Sequence, residues 1–167
     1  VLTSLTGCAT TPSSDQPKSP QELSDIYTEM GTQALTRGDY PQAIEDLRKA
    51  LTTYDSNKVA RNHLGLAYLG IGKKALGKEE FERAIKLDPA YSDAHINLGN
   101  MAADEGNSTL AKKHFRLALE NLEYKLRHRA LTNLALMALK ESKVDEAKTL
   151  LFQSAQVNPN FCLTHLL

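Results

Sequence analysis

The sequence predicts an all-α chain, an α-solenoid of antiparallel helix pairs, and three observations carry that prediction. Leucine and alanine dominate a composition with no tryptophan and only 6% aromatic residues, a balance that favours helix. A pattern of small and large residues recurs four times at nearly constant spacing. Within the copies, glycine or proline falls where a helix has to stop.

The first copy reads Met30-Gly31, Ala34, Gly38, Ala43, Leu47 and Ala50. The second is Leu64-Gly65, Tyr68, Gly72, Gly77, Phe81, Ala84 and Pro89. In the third the pattern gives Leu98-Gly99, Ala102, Gly106, Ala111, Phe115 and Ala118. The fourth gives Leu134-Ala135, Ala138, Ser142, Ala147, Leu151, Ser154 and Pro159. Small residues let two helices approach, and the large residues fill the space beside them. Glycine at 38, 72 and 106 suits the positive φ that closes the first helix of a pair. Ser19-Pro20-Gln21-Glu22 reads as a capping box opening the array. Helix pairs are predicted at 20–37 with 41–53, 58–70 with 74–87, 92–105 with 108–121, and 126–140 with 144–157.

These residues, with reference positions Gly31, Gly65, Gly99 and Ala135 separated by 34, 34 and 36 residues, resemble the tetratricopeptide repeat. The resemblance implies a superhelix of about four repeats (24–57, 58–91, 92–127 and 128–161 within a domain spanning 20–161) and the start of a fifth. Residues 162–167 read as the opening of a further helix cut short, with Cys162 as one of its buried apolar residues.

Lys+Arg and Asp+Glu are both 20, so no net field draws the chain to nucleic acid. Cys8 and Cys162 stand far apart without metal-ligand spacing. No nucleophile elbow, P-loop or dinucleotide fingerprint occurs. Among the histidines, His95 falls at a packing position, His63 near the inner surface, and His114 and His128 at positions expected to be exposed. The reading is a non-enzymatic protein-binding scaffold without cofactor, metal or small-molecule substrate.

The resemblance implies that the first helix of each pair lines a concave groove. Inward positions are Asp25, Thr28, Thr32 and Leu35, then Val59, Asn62, Leu66 and Leu69, then Asp93, Ile96, Asn100 and Ala103, then Arg129, Thr132, Leu136 and Leu139. The candidate protein-binding residues are Leu35, Val59, Asn62, Leu66, Leu69, Ile96, Asn100, Leu136 and Leu139, a set that suits an apolar helix or an extended peptide. Family members that hold a chaperone's C-terminal carboxylate use a clamp of lysine, asparagine and arginine. Here Thr28 and Thr32, and Asp93 with Asn97, occupy those positions, so an anion would meet aspartate.

Leu5-Thr6-Gly7-Cys8 resembles the lipobox of bacterial lipoproteins. It implies a signal-peptide remnant at 1–7, lipid on Cys8, and a tether over 8–19 whose Thr/Ser/Pro/Asp/Gln content is that of a flexible linker. Ala9 after the cysteine points, within that family, to the outer membrane. Lipobox, tether and repeats together resemble the type IV pilus biogenesis lipoproteins, the PilF/PilW pilotin and Tgl-like family. The two-residue insertion between repeats three and four, at Glu123-Tyr124-Lys125-Leu126-Arg127, matches that family. The third repeat, Asn97-Leu98-Gly99-Asn100-Met101, lacks the tyrosine and cysteine associated with it. This resemblance implies an anchor on the periplasmic face and a secretin subunit as client. A lipoprotein scaffold for other envelope assembly and a cytoplasmic co-chaperone-like adaptor are the alternatives.

Overall fold

Each predicted pair forms. The computed structural model describes residues 18–159, and among them there are eight α-helices and no strand: α1 (Pro20–Thr36), α2 (Tyr40–Thr53), α3 (Lys58–Gly70), α4 (Lys74–Leu87), α5 (Ser92–Asp104), α6 (Ser108–Glu120), α7 (Arg127–Lys140) and α8 (Val144–Val157). The strongest packing is within the pairs α1–α2, α3–α4, α5–α6 and α7–α8, followed by α2–α3, α4–α5 and α6–α7.

Local chemistry sets the ends. The Ser19 hydroxyl accepts from the Glu22 backbone N–H at 3.2 Å, and the Glu22 carboxylate accepts from the Ser19 N–H at 2.7 Å, a completed capping box. Asp39, Asn57 and Asn107 cap α2, α3 and α6 through their side-chain oxygens. Gly38, Gly72 and Gly106 close the first helices of repeats one to three at φ near +75°. The fourth repeat places Ser142 in the same turn at φ 59°.

Within a pair, packing is as close as the small residues allow. A β-carbon added at Gly65 would lie 2.5 Å from the Phe81 ring, and one at Gly99 would lie 2.5 Å from the Phe115 ring. Phe81 and Phe115 are in turn almost wholly buried. Clusters centred on Leu47, Phe81, Phe115 and Leu151 form a core that runs through the stack. The 36-residue interval lengthens the α6–α7 connection, which brings Tyr124 back onto α5. Its hydroxyl donates to Asp93 Oδ1, and Arg129 reaches the same oxygen at 3.3 Å.

Candidate protein-binding groove

The inward positions divide by their place on the helix. Thr28, Asn62, Ile96 and Thr132, five residues into each first helix by the repeat numbering, are all buried. Ile96 is 0% exposed and belongs to the core cluster with Ala130 and Leu134 of the following repeat. Asn62 is 3% exposed and accepts from Asn97 Nδ2 at 2.9 Å. These two predicted groove residues are therefore not on the surface. The next repeat covers them, because this position faces both the groove axis and the neighbouring first helix.

Val59 and Leu136 are exposed, whereas Leu35, Leu66, Leu69 and Leu139 are half-buried, each with one side against its repeat's core. Asn100 is half-buried and accepts from Asn133 Nδ2 at 2.7 Å. A row of polar contacts thus runs between successive first helices. Thr32 and His63 lie 2.8 Å apart; the Thr32 hydroxyl donates to the Thr28 carbonyl, so His63 Nδ1–H is the donor to Thr32. Asn62–Asn97 and Asn100–Asn133 continue the row. The sequence reading missed this row; the recurrence of His63, Asn97 and Asn133 at one repeat position was its only visible sign.

Two further polar sites have partners that the sequence reading did not find, although His95 was read as a packing position. Arg61 is buried, donating to Glu80 at 3.0 Å and to the Asp55 carboxylate and carbonyl. His95 is buried, its Nε2–H donating to the Pro89 carbonyl at 2.9 Å, with its Nδ1 3.1 Å from His114 Nδ1. His128, expected to be exposed, is 5% exposed, because the first turn of α7 packs under α8. Burial holds the imidazoles of His63, His114 and His128 below the ordinary histidine range. At the clamp positions, Asp93 is engaged by Tyr124 and Arg129, and Thr28 and Thr32 are bonded within the fold. Among the described residues no His/Cys/Asp/Glu cluster has the makings of a metal site, and no helix is long and apolar enough to cross a membrane. Cys8, residues 9–17 of its tether and Cys162 lie outside the described residues, whereas Ser19 at the tether's end caps α1.

Stacked helix pairs with a continuous core and one concave face define an α-solenoid of the kind that presents its inner surface to other proteins. The family model described as tetratricopeptide repeat matches residues 28–76 and 63–125. This chain belongs to the tetratricopeptide repeat family, and it is a protein-binding scaffold of that class. It is similar to the type IV pilus assembly protein PilF of Pseudomonas aeruginosa, 30% identical over 161 residues, which cover 93% of this chain and 63% of that relative. A structure reported for the functional characterisation of Pseudomonas aeruginosa PilF superposes with a TM-score of 0.80 at 28% identity, over 86% of this chain and 64% of that one. The structure of PilW, described as a widely conserved type IV pilus biogenesis factor, shares the fold with a TM-score of 0.76 at 21% identity, over 84% of this chain and 64% of that one. The co-chaperone sgt12 of Aspergillus fumigatus is 30% identical over 107 residues, 63% of this chain and 31% of its own length. The chain thus spans less than two thirds of these relatives.

Proposed function

We propose that this chain is the tetratricopeptide part of an outer-membrane lipoprotein of type IV pilus biogenesis, a pilotin. In this reading it is lipid-anchored through Cys8 on the periplasmic face and promotes the targeting and assembly of a secretin. The observation that carries this reading is the 30% identity to PilF, which extends over 93% of the chain and so reaches well outside the residues matched by the repeat model. The lipobox-like Leu5-Thr6-Gly7-Cys8 supports it independently.

The proposed mechanism uses binding alone. Acyl chains on Cys8, each methylene contributing about 0.8 kcal/mol on burial, hold the protein at the membrane. Residues 9–19 supply reach. The groove, with Val59, Leu66 and Leu136 presenting apolar surface beside the Asn100–Asn133 pair, takes an apolar segment of the secretin and shields it until the multimer forms. Binding energy comes from apolar area removed from water, so no nucleotide or cofactor enters.

The test combines three measurements. Mass spectrometry of the protein from its native host should find a lipid-modified Cys8, and an unmodified cysteine refutes the anchor. In a deletion strain, secretin multimers should be lost from the outer membrane; normal multimers there refute the pilotin role. Replacing Leu66 and Leu136 with aspartate should abolish secretin capture while helicity measured by circular dichroism is unchanged. The similarity to sgt12 is the observation behind a second reading, an adaptor for chaperones. That reading requires an acidic peptide tail to bind where Asp93 stands, and it predicts binding of such a tail by the soluble chain.

A further inference from the structure

One groove position sets the third repeat apart. Leu35, Leu69 and Leu139 stand four residues after the reference positions Gly31, Gly65 and Ala135, whereas Ala103 follows Gly99. All four are half-buried. In the second repeat the leucine bridges to the partner helix, with its Cδ2 3.0 Å from where a Gly77 β-carbon would sit. In the fourth, Leu139 packs on the cluster around Ala135 and Ala147. Alanine lacks the three terminal carbons that fill this space.

A cleft of about 390 Å³ opens beside Ala103, between α5 and α7. Its apolar part is formed by Ala103, Leu136, Met137 and Phe115. Asn100 and Asn133 form the polar part. Asn133 spends one Nδ2–H on Asn100 Oδ1, so Asn133 Oδ1 and the Asn100 Nδ2–H groups have no protein partner among the described residues. Asp104 and Lys140 line the same cleft, and neither is in an ion pair among the described residues. An apolar recess beside a free amide oxygen and free amide N–H groups is the complement of a peptide unit carrying a large apolar side chain. An acyl chain would use only half of it.

We propose that this cleft is the anchor pocket of the groove, taking one phenylalanine- or leucine-sized side chain from a client protein's peptide segment. The Asn100 Nδ2–H donates to the adjoining peptide C=O and Asn133 Oδ1 accepts from the peptide N–H, and Asp104 and Lys140 favour a client segment with charges of both signs flanking the anchor. Ala103 is the specificity-determining residue, because a larger side chain there fills the pocket. This inference rests on the groove reading above and names the place where that groove grips.

The test uses the full 167-residue chain with methyl-labelled leucine, methionine and alanine, titrated with N-acetyl-phenylalaninamide, N-acetyl-leucinamide and N-acetyl-alaninamide. The first two should give saturable shifts centred on the Ala103, Leu136 and Met137 methyls, and the alanine compound should bind at least tenfold more weakly. Ala103→Leu, which installs the residue of the other three repeats, should weaken the phenylalanine compound at least tenfold with an unchanged thermal midpoint. Leu136→Asp, at an exposed wall residue, should do the same and serves if the first variant is unstable. Shifts spread evenly over the leucine methyls, or equal binding in both folded variants, overturn the proposal. Secretin capture lost in Leu66→Asp but intact in Ala103→Leu overturns the pocket and leaves the groove standing. Capture unaffected by either overturns both.

Discussion

Arg61 occupies the slot filled by Tyr27, His95 and Leu131 in the other repeats, and it brings a buried charge where its neighbours bring packing. Arg61 is 7% exposed, and its guanidinium lies 3.0 Å from Glu80, itself 8% exposed. Buried ion pairs offset most of their own desolvation, yet removing one partner strands the other. Arg61→Ala should therefore destabilise the chain by about 3 kcal/mol in urea unfolding. Arg83, 3.1 Å from Glu80, limits the loss. The double change Arg61→Leu, Glu80→Leu should recover most of it; a double variant as unstable as Arg61→Ala would refute this account. His95 shows the same logic, since its burial is tolerated by bonding to the Pro89 carbonyl and to His114. Neither partner set was legible in the sequence, because each joins residues that only the turn of the pair brings together.

At the scale of the helix pair, a small residue on the first helix seats a large one on the second. Gly31, Gly65 and Gly99 face Leu47, Phe81 and Phe115, and in the fourth repeat Ala135 stands with Leu151. Gly99→Ala should cost about 1–3 kcal/mol through overpacking against Phe115, less about 1 kcal/mol regained in helix propensity. A lowered thermal midpoint checks the sign. Adding Phe115→Leu, which copies the fourth repeat, should restore part of the loss, and a further drop would refute the matching. This scale was the most legible: the repeat pattern located the eight helices of the described residues to within one residue at every end. The turn at Ser142 shows the period overriding local preference, with a serine held at φ 59° where glycine stands in the other repeats.

Across the whole molecule, acid should weaken the fold before it titrates the carboxylates. His63, His114 and His128 have lowered pKa values, with burial the largest cause in each. Below the ordinary histidine pKa of about 6.5, the unfolded chain binds more protons than the folded one. Stability is therefore complete above that value and falls as pH drops towards the lowered native values. The urea midpoint should be lower at pH 5.5 than at pH 7.5, and a midpoint that rises on acidification would refute it. Asp93 and Glu29 oppose the shift of His63, whereas Lys78 and Lys113 add to that of His114.

The sequence by itself determined the period, the pairing of helices and their ends, because these follow from residues a few turns apart. Only the tertiary structure decided which inward residues are open. Ile96 and Asn62 share the inward direction with Val59 and Leu136, but the neighbouring repeat covers the first two and leaves the others exposed. The cleft at Ala103 was likewise hidden, since a missing leucine becomes a pocket only when α7 arrives to wall it. Coverage by the next repeat is a non-local property, set by how far one pair rotates on the last, and no spacing within a repeat encodes it.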